Sequence, residues 1–389
     1  MTEALTVDDL YQRAHEILPR IAAGAAERER LRVLPYEQIR EIARLRLLTF
    51  RVPAAFGGPG ASMAQVIRFV VDMATADANI AQALRPAFLF TEGLLGSDSR
   101  EWRQRWLPRV MAGDIFGTAG WERGAANGVV QARLTQDGHN FRANGTKSYS
   151  TGALFADWVS TSALNADGEA VSFTVPRDRE GLRLLDDWDG TGQRLTASGT
   201  TQLDNLLVYP DEIRALPRRG HRSAGTAFAQ LFLAAVLAGI AANARDDAVQ
   251  YARHHSRPIK HSVAERSADD PYVQHAIGQI AALAFAADAA VSQAASVLDL
   301  AAAQDAEPEL LTRAAVAVAQ AQFFAAEAAL RGGELAFETG SASATLREYN
   351  LDRHWRNART VANHNPRAYK AAVAGAYWLN GTEPPGTLF

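Results

Sequence analysis

The feature that most constrains the fold is a change in hydrophobic spacing that occurs twice along the chain. Residues 6–112 and residues 224–379 show apolar residues at helical spacing. Residues 114–210 instead consist of short runs, most of them rich in β-branched and aromatic residues and several separated by turn-forming sequences such as Asn144-Gly145. Helices, then strands, then helices is an order that fits neither a Rossmann fold nor a parallel barrel.

The chain is therefore predicted to be an α+β protein of three domains. Residues 1–112 would form an N-terminal α-helical domain, residues 113–214 a central antiparallel, barrel-like β-domain, and residues 215–389 a C-terminal four-helix bundle with an extended tail. Helices are predicted over residues 7–31, 35–47, 64–74, 100–112, 224–254, 271–303, 308–335 and 350–379. Strands are predicted over residues 128–134, 140–149, 157–163, 170–175 and 200–208.

The composition excludes several classes of function. The absence of cysteine excludes disulfides, iron–sulfur clusters and cysteine nucleophiles, and a net charge of −3 provides no basic surface for nucleic acid. The polar N-terminus has no segment typical of a signal peptide, and the apolar stretch over residues 228–242 is too short to span a bilayer. We therefore expect a cytoplasmic protein that binds neither nucleic acid nor a membrane.

Motifs for nucleotides, hydrolysis and metals are missing. The glycine cluster at residues 57–60 is followed by Met63 where a dinucleotide fingerprint needs glycine, and no strand precedes it. The chain has no phosphate-binding loop, no GxSxG elbow and no HExxH motif. His254, His255 and His261 lack carboxylates at ligand spacing, so no metal site is expected. Without a nicotinamide-binding motif, the chain is not expected to bind NAD(P)H itself.

Several motifs resemble those of one superfamily, in the same order and across nearly the whole chain. Val52-Pro53 with Phe56-Gly57-Gly58, and Asn144-Gly145-Thr146-Lys147 with Ser150-Thr151-Gly152, are similar to the VPxxxGG and NGxKxxIT elements of the acyl-CoA dehydrogenase superfamily. Other stretches resemble its flavin-dependent (group D) monooxygenase branch, typified by dibenzothiophene and sulfone monooxygenases. These stretches are residues 149–158, 192–194, 198–200, 257–258, 261–262, 269–272, 353–360 and 364–366.

The resemblance implies a two-component monooxygenase. Reduced flavin (FMNH2 or FADH2) from a separate NAD(P)H:flavin reductase would react with O2 to give a C4a-(hydro)peroxyflavin. This species would oxygenate a small aromatic or heterocyclic substrate, indole- or thiophene-like, or an amine. FMN is favoured over FAD because the glycine pair that often helps bind the FAD pyrophosphate is not present at Thr339-Gly340-Ser341. A homotetramer is also expected, because the alanine-rich bundle presents more surface than one chain buries.

The alternative is an acyl-CoA dehydrogenase or flavin oxidase that acts on an acyl thioester or a related substrate. Dehydrogenation needs a carboxylate base, which in many acyl-CoA dehydrogenases follows an RDA element. Here Arg356-Asn357-Ala358 leads to His364, and no Asp or Glu lies between Arg353 and Thr382. The missing base favours oxygenation, although some dehydrogenases carry the base elsewhere. A non-catalytic scaffold is a third hypothesis.

The resemblance assigns catalysis to His364 and Ser150. A histidine suits this chemistry because imidazole can give or take a proton near neutral pH. The residues that are expected to contact the flavin ring are Tyr149, Ser150, Thr151 and Thr118. Those that are expected at its phosphate are Arg257, with His261 and Ser262 in support.

Six residues are expected to line the substrate pocket: Trp121, Trp188, Ala87, Phe88, Val361 and Asn365. Three positions depart from the pattern of better-known relatives. Ala87 and Val361 stand where relatives often carry histidine, and Thr118 stands where asparagine is frequent. These changes predict a less polar pocket with different acid–base groups, which argues against sulfoxidation of dibenzothiophene itself.

Overall fold

The structure is a computed structural model that describes residues 5–124, 129–216, 222–303 and 307–386. It confirms the α+β class and the order of helices, sheet and helices along the chain. The first helical region comprises α1 (Val7–Ala23), α2 (Ala25–Leu31), α3 (Tyr36–Arg44), α4 (Met63–Leu95) and α5 (Arg100–Ala112).

Helix α4 is three times as long as the segment predicted over residues 64–74. It starts at a capping box, in which the Ser62 side chain accepts from the Gln65 amide and the Gln65 side chain accepts from the Ser62 amide. It kinks at Asp77, whose φ of −159° and ψ of 105° are not helical. The Asp77 carboxylate accepts a hydrogen bond from the Asn79 amide at 2.9 Å, as an N-cap residue does. The second half of α4 is apolar on nearly all faces, which hides its helical period from the sequence.

The central region is one mixed sheet, so the prediction of a purely antiparallel domain was wrong. The strands are β1 (Phe116–Ala119), β2 (Arg133–Asp137), β3 (Asn140–Lys147), β4 (Trp158–Leu164), β5 (Ala170–Pro176), β6 (Leu182–Leu184), β7 (Thr201–Val208) and β8 (Ile213–Ala215). Their order is β6-β7-β3-β2-β4-β5-β8, and β1 joins beside β4. Strands β2 and β3 form an antiparallel hairpin, whereas β1 and β2 both run parallel to β4.

The predicted strands over residues 140–149, 157–163, 170–175 and 200–208 are confirmed as β3, β4, β5 and β7 with small changes at their ends. The strand predicted over residues 128–134 begins at Arg133, and Gly128 lies outside the described residues. Strands β1, β6 and β8 were not predicted, because three or four residues are too few to show an alternating pattern.

The C-terminal region comprises α6 (Ala224–His254), α7 (Pro271–Ala303), α8 (Pro308–Leu335), α9 (Asp352–His364) and α10 (Arg367–Asn380). The predicted fourth helix over residues 350–379 is two helices, which corrects the four-helix count. The break falls at Asn365, which is extended with φ −133° and ψ 111°. Proline disfavours helical backbone in the residue before it, so Pro366 explains the break. His364 is therefore the last residue of α9.

Helix α6 lies in the centre of the hydrophobic core, and the apolar stretch over residues 228–242 is part of it. By length and composition both α6 and α7 could cross a membrane, but 83% of the apolar window of α6 is buried inside the protein, as in a soluble core helix. For α7 the buried share is 33%, and Tyr272, Phe285 and Leu300 are exposed on it.

A loop of residues 192–199, which we call the junction loop, joins the sheet to two helices. The Gln193 amide donates to Asn357 Oδ1 of α9 at 2.6 Å, and the Leu195 amide donates to Asn79 Oδ1 of α4 at 3.1 Å. A β-carbon on Gly192 would lie 2.0 Å from the Arg356 carbonyl oxygen, so glycine is required for this close approach. The loop thereby fixes the sheet against α4 and α9.

We predict that Gly192→Ala lowers the free energy of unfolding by about 1–3 kcal/mol, because the new methyl group overlaps the backbone of α9. The matched control is Gly278→Ala on α7, where a β-carbon would have nothing within 4 Å. That control is expected to be neutral or stabilising by about 0.5–1 kcal/mol, because alanine favours helix over glycine. Urea denaturation followed by circular dichroism measures both. Equal stabilities of the two variants would contradict the docking of the loop on α9.

Candidate functional site

The turn that follows β3 presents two of the predicted flavin-contacting residues. Ser150 and Thr151 stand between Tyr149, with φ of 58°, and Gly152, with φ of 74°. A β-carbon on Gly152 would lie 2.3 Å from the Ala83 carbonyl oxygen, so this turn packs directly on α4. The turn needs a glycine both for its conformation and for this contact.

Hydroxyl groups converge around this turn. Thr201 Oγ1 donates to Ser150 Oγ at 2.8 Å, which leaves the Ser150 hydroxyl hydrogen for another acceptor. Thr151 Oγ1 lies 2.9 Å from Ser198 Oγ, and the same Ser198 oxygen lies 2.8 Å from Thr196 Oγ1. The junction loop thus contributes directly to the polar surface beside Thr151.

Thr118 lies beside the same turn, on β1. Its amide is 3.4 Å from the Thr151 carbonyl oxygen. The structure therefore brings together three of the predicted flavin-contacting residues, Thr118, Ser150 and Thr151. Tyr149 lies next to them but is about half exposed. Hydroxyl and amide groups of this kind suit the carbonyl and nitrogen atoms of an isoalloxazine edge.

His364 reaches the site from the end of α9. Its Nδ1 lies 2.8 Å from Asn365 Oδ1, and the residue is exposed to solvent. Desolvation of the imidazole by the surrounding protein lowers the pKa of His364 below its ordinary value, and the nearby charges of Arg85 and Lys370 lower it further. The hydrogen bond with Asn365 acts in the opposite direction and raises this pKa. The imidazole is therefore neutral at neutral pH, able to accept a proton and to hydrogen-bond a substrate.

Two basic residues next to His364 were missed by the sequence analysis. The Arg85 Nη2 donates to the Ala229 carbonyl oxygen at 3.0 Å, and Lys370 Nζ donates to Gln230 Oε1 at 3.0 Å. Burial lowers the pKa of Lys370 to about 7 and that of Arg85 to about 10. The sequence offered two signals that could have identified these residues. Arg85 is a charged residue in the apolar sequence of α4, and Lys370 is a charged residue in the helix that follows His364.

Ion pairs anchor the first half of α9 and so fix the direction in which His364 points. Arg356 Nη1 lies 2.6 Å from Glu29 Oε1, and Glu29 is buried on α2. His354 Nε2 lies 2.8 Å from the Asp247 carboxylate of α6, which Arg353 also contacts. Burial alone would raise the pKa of the Asp247 carboxyl. The charge of Arg353 and the hydrogen bond and charge of His354 outweigh this effect and hold the pKa well below its usual range.

The two predicted pocket tryptophans lie beside the turn that follows β3. Trp188 Nε1 donates to the Gln193 carbonyl oxygen at 2.8 Å, and its ring centroid lies 6.2 Å from that of Tyr149. Trp121 is half exposed, and its carbonyl oxygen accepts from the Ser148 amide. Contact of either tryptophan with a substrate stays a prediction.

The apolar pocket candidates lie deeper. Ala87, Phe88 and Val361 are all buried in the main hydrophobic core. The Phe88 ring centroid lies 5.6 Å from that of Phe232 on α6. Asn365 is partly exposed beside His364. Contact of these four residues with a substrate stays a prediction.

The predicted phosphate-binding residues lie elsewhere in this chain. Arg257 and His261 are exposed beyond the end of α6, and Ser262 Oγ donates to the Asp270 carboxylate. At 1.5 Å per residue, the end of α6 at His254 is roughly 36 Å from Gln230 at the site. The role of Arg257, His261 and Ser262 at a flavin phosphate stays a prediction.

Two family models match the chain, which are the acyl-CoA dehydrogenase N-terminal domain over residues 9–114 and the acyl-CoA dehydrogenase C-terminal domain over residues 231–367. Dibenzothiophene monooxygenase of Rhodococcus erythropolis is 30% identical over 387 residues, which cover 94% of this chain and 92% of the relative. The probable FMNH2-dependent monooxygenase SfnC of Pseudomonas putida is 30% identical, with coverage of 97% and 96%.

The fold agrees with these sequence matches. The crystal structure of FMN-bound TdsC from Paenibacillus sp. A11-2 superimposes with a TM-score of 0.91 at 29% identity, covering 98% of this chain and 99% of TdsC. TdsC is itself a dibenzothiophene monooxygenase that has also been crystallised with indole. The resemblance noted in the sequence is confirmed. The chain belongs to the acyl-CoA dehydrogenase superfamily and, within it, to the flavin-dependent monooxygenases related to dibenzothiophene monooxygenase.

Proposed function

We propose that this protein is the oxygenating component of a two-component monooxygenase that uses reduced FMN and O2. The observation that carries the proposal is the cluster of Thr118, Ser150 and Thr151, together with a neutral His364 and the absence of any Asp or Glu between Arg353 and Thr382. FMN in the TdsC crystal structure and FMNH2 in the name of SfnC support this cofactor.

The residues of the site fit an isoalloxazine ring. Ser150 retains a hydroxyl hydrogen for an acceptor atom of the ring, because Thr201 donates to its oxygen. Thr118 and Thr151 add polar groups on the same side, and the Gly152 contact holds the turn against α4. Bound reduced FMN would supply two electrons and activate O2. FAD remains the alternative cofactor.

The protein's own groups then have distinct tasks. His364 would accept a proton from, or return one to, the reacting oxygen or the substrate, because its pKa lies below the ordinary value and its ring starts neutral. Buried Phe88 and Val361 would exclude water from the reacting centre, which limits wasteful release of hydrogen peroxide. Trp121 and Trp188 would cover the substrate from the rim.

The proposal extends to substrate, partners and assembly. The substrate is a small aromatic or heterocyclic molecule, indole- or thiophene-like, or an amine, and the indole complex of TdsC supports the first class. A separate cytoplasmic NAD(P)H:flavin reductase would deliver the reduced flavin. A homotetramer would cover the apolar face of α7 and would place Arg257 of one copy near the flavin of another.

The test is incorporation of labelled oxygen. Chemically reduced FMN is mixed with the protein, indole and 18O2, and the products are analysed by mass spectrometry, with benzothiophene and benzylamine as further substrates. One 18O atom in an organic product that forms only with the protein supports the proposal. Bleaching of oxidised flavin by an acyl-CoA without oxygen, together with no 18O product from any substrate, would establish the dehydrogenase alternative.

A variant of His364 tests its role. His364→Gln is expected to lower the rate of product formation by about 100-fold, because proton transfer by a positioned group contributes this much or more. Its affinity for FMN should change little, since the hydroxyl cluster is intact. The matched control is His139→Gln, at an exposed turn between β2 and β3. An unchanged rate for His364→Gln would contradict the catalytic assignment.

A further inference from the structure

Two cations approach His364 from different helices and attach to neighbouring residues of α6. Arg85 of α4 donates to the carbonyl oxygen of Ala229, and Lys370 of α10 donates to the side chain of Gln230. Because these two acceptors are consecutive in sequence, the guanidinium and ammonium groups lie near each other beside α6. Both charges act on the His364 ring and lower its pKa.

The guanidinium of Arg85 has an unusual environment for a buried charge. Four other largely buried arginines each pair with a carboxylate, and these pairs are Arg28–Asp77, Arg51–Glu92, Arg179–Glu212 and Arg356–Glu29. Among residues 5–124, 129–216, 222–303 and 307–386, Arg85 forms no such pair, and its donors meet only the Ala229 carbonyl oxygen. A desolvated guanidinium without a counter-ion is costly, so retention of this charge indicates a ligand that supplies the anion.

The position of Arg85 directs this charge toward the site. Gly152 of the hydroxyl turn packs against Ala83 and Pro86, the residues that flank Arg85 in the same turn of α4. On the other side, Arg85 acts on His364. Arg85 therefore stands in the turn of α4 that contacts the hydroxyl turn, and its charge acts on the imidazole, so we place the substrate of the proposed reaction beside this guanidinium.

We propose that Arg85, with Lys370 and His364, forms an oxoanion subsite, and that the substrate is a small organic acid carrying a carboxylate or sulfinate on an apolar body. The planar guanidinium matches such an oxoanion with two parallel hydrogen bonds. The neutral imidazole of His364 adds a further hydrogen-bonding group. This inference rests on the proposed function, because it specifies the substrate class of the same site.

The test compares two probes that share a ring, indole-3-carboxylate and indole. Their dissociation constants are measured by isothermal titration calorimetry on the full chain loaded with FMN. The wild-type protein is expected to bind the carboxylate at least about tenfold more tightly than indole. Arg85→Gln should weaken carboxylate binding by about 30-fold and indole binding by less than about threefold, because only the anion loses a charge partner. Arg85→Lys, which keeps the charge, should restore part of the affinity.

The matched control is Arg214→Gln on β8. Arg214 is also half-buried, its pKa is lowered by burial, and it donates to a carbonyl oxygen of α4, at Gly93. This variant should bind both probes as the wild type does.

A second readout is the pKa of His364, followed by NMR. Removal of a neighbouring positive charge favours the protonated imidazole, so Arg85→Gln should raise that pKa, as should saturation of the wild type with indole-3-carboxylate.

Three results would overturn the inference. These are equal affinity of the wild type for both probes, equal weakening of the binding of both probes by Arg85→Gln, and a loss of FMN affinity in Arg85→Gln. The last result would assign the arginine to the cofactor phosphate.

The outcome of this test is separable from that of the proposed function. Oxygenation of both probes without preference for the acid refutes the subsite and leaves the monooxygenase intact. Selective binding of the acid without any 18O product supports the subsite and refutes the monooxygenase.

Discussion

The site depends on the buried hydrogen bond between the Gln193 amide and Asn357 Oδ1. This bond joins the junction loop to α9, while Ser198 at the other end of the loop meets Thr151. The hydroxyl cluster lies on the sheet and His364 on a helix, so their distance depends on this loop. A buried amide that loses its acceptor costs about 1–3 kcal/mol, which makes the loop position strongly preferred. The close approach of Gly192 to α9 acts in the same direction.

The electrostatics of the site follow from where α4, α9 and α10 end or bend. Pro366 ends α9 at His364 and allows α10 to bring Lys370 back toward α6. Desolvation of the imidazole, the charge of Arg85 and the partly protonated Lys370 all disfavour a charged His364, so it stays neutral at neutral pH. The same two basic groups favour the binding of an anion beside them. The proton transfer assigned to His364 and the substrate class assigned through Arg85 therefore have one physical origin.

The sequence predicted the architecture well and the details of the site less completely. Long elements with a clear period were identified, as for α5, whereas the apolar second half of α4 and the three-residue strands carry no period to detect. Thr118, Ser150 and Thr151 were identified through short motifs and do lie together. Arg85 and Lys370 were missed because their importance arises from contacts with Ala229 and Gln230 of α6, and these contacts join residues that are far apart in sequence. The distance of Arg257 from the site could not be predicted either, since it depends on the straight course of α6.

The most direct test of this account is a double-mutant cycle on FMN affinity with Asn357→Leu and Ser198→Ala. Each single change removes one end of the junction loop's hydrogen bonds and should weaken FMN binding. If the loop transmits the position of α9 to the hydroxyl cluster, the two effects are coupled by about 0.5 kcal/mol or more, as for residues in one network. Strictly additive effects, or FMN affinity unchanged in both single variants, would contradict the claim that the junction loop assembles the flavin site.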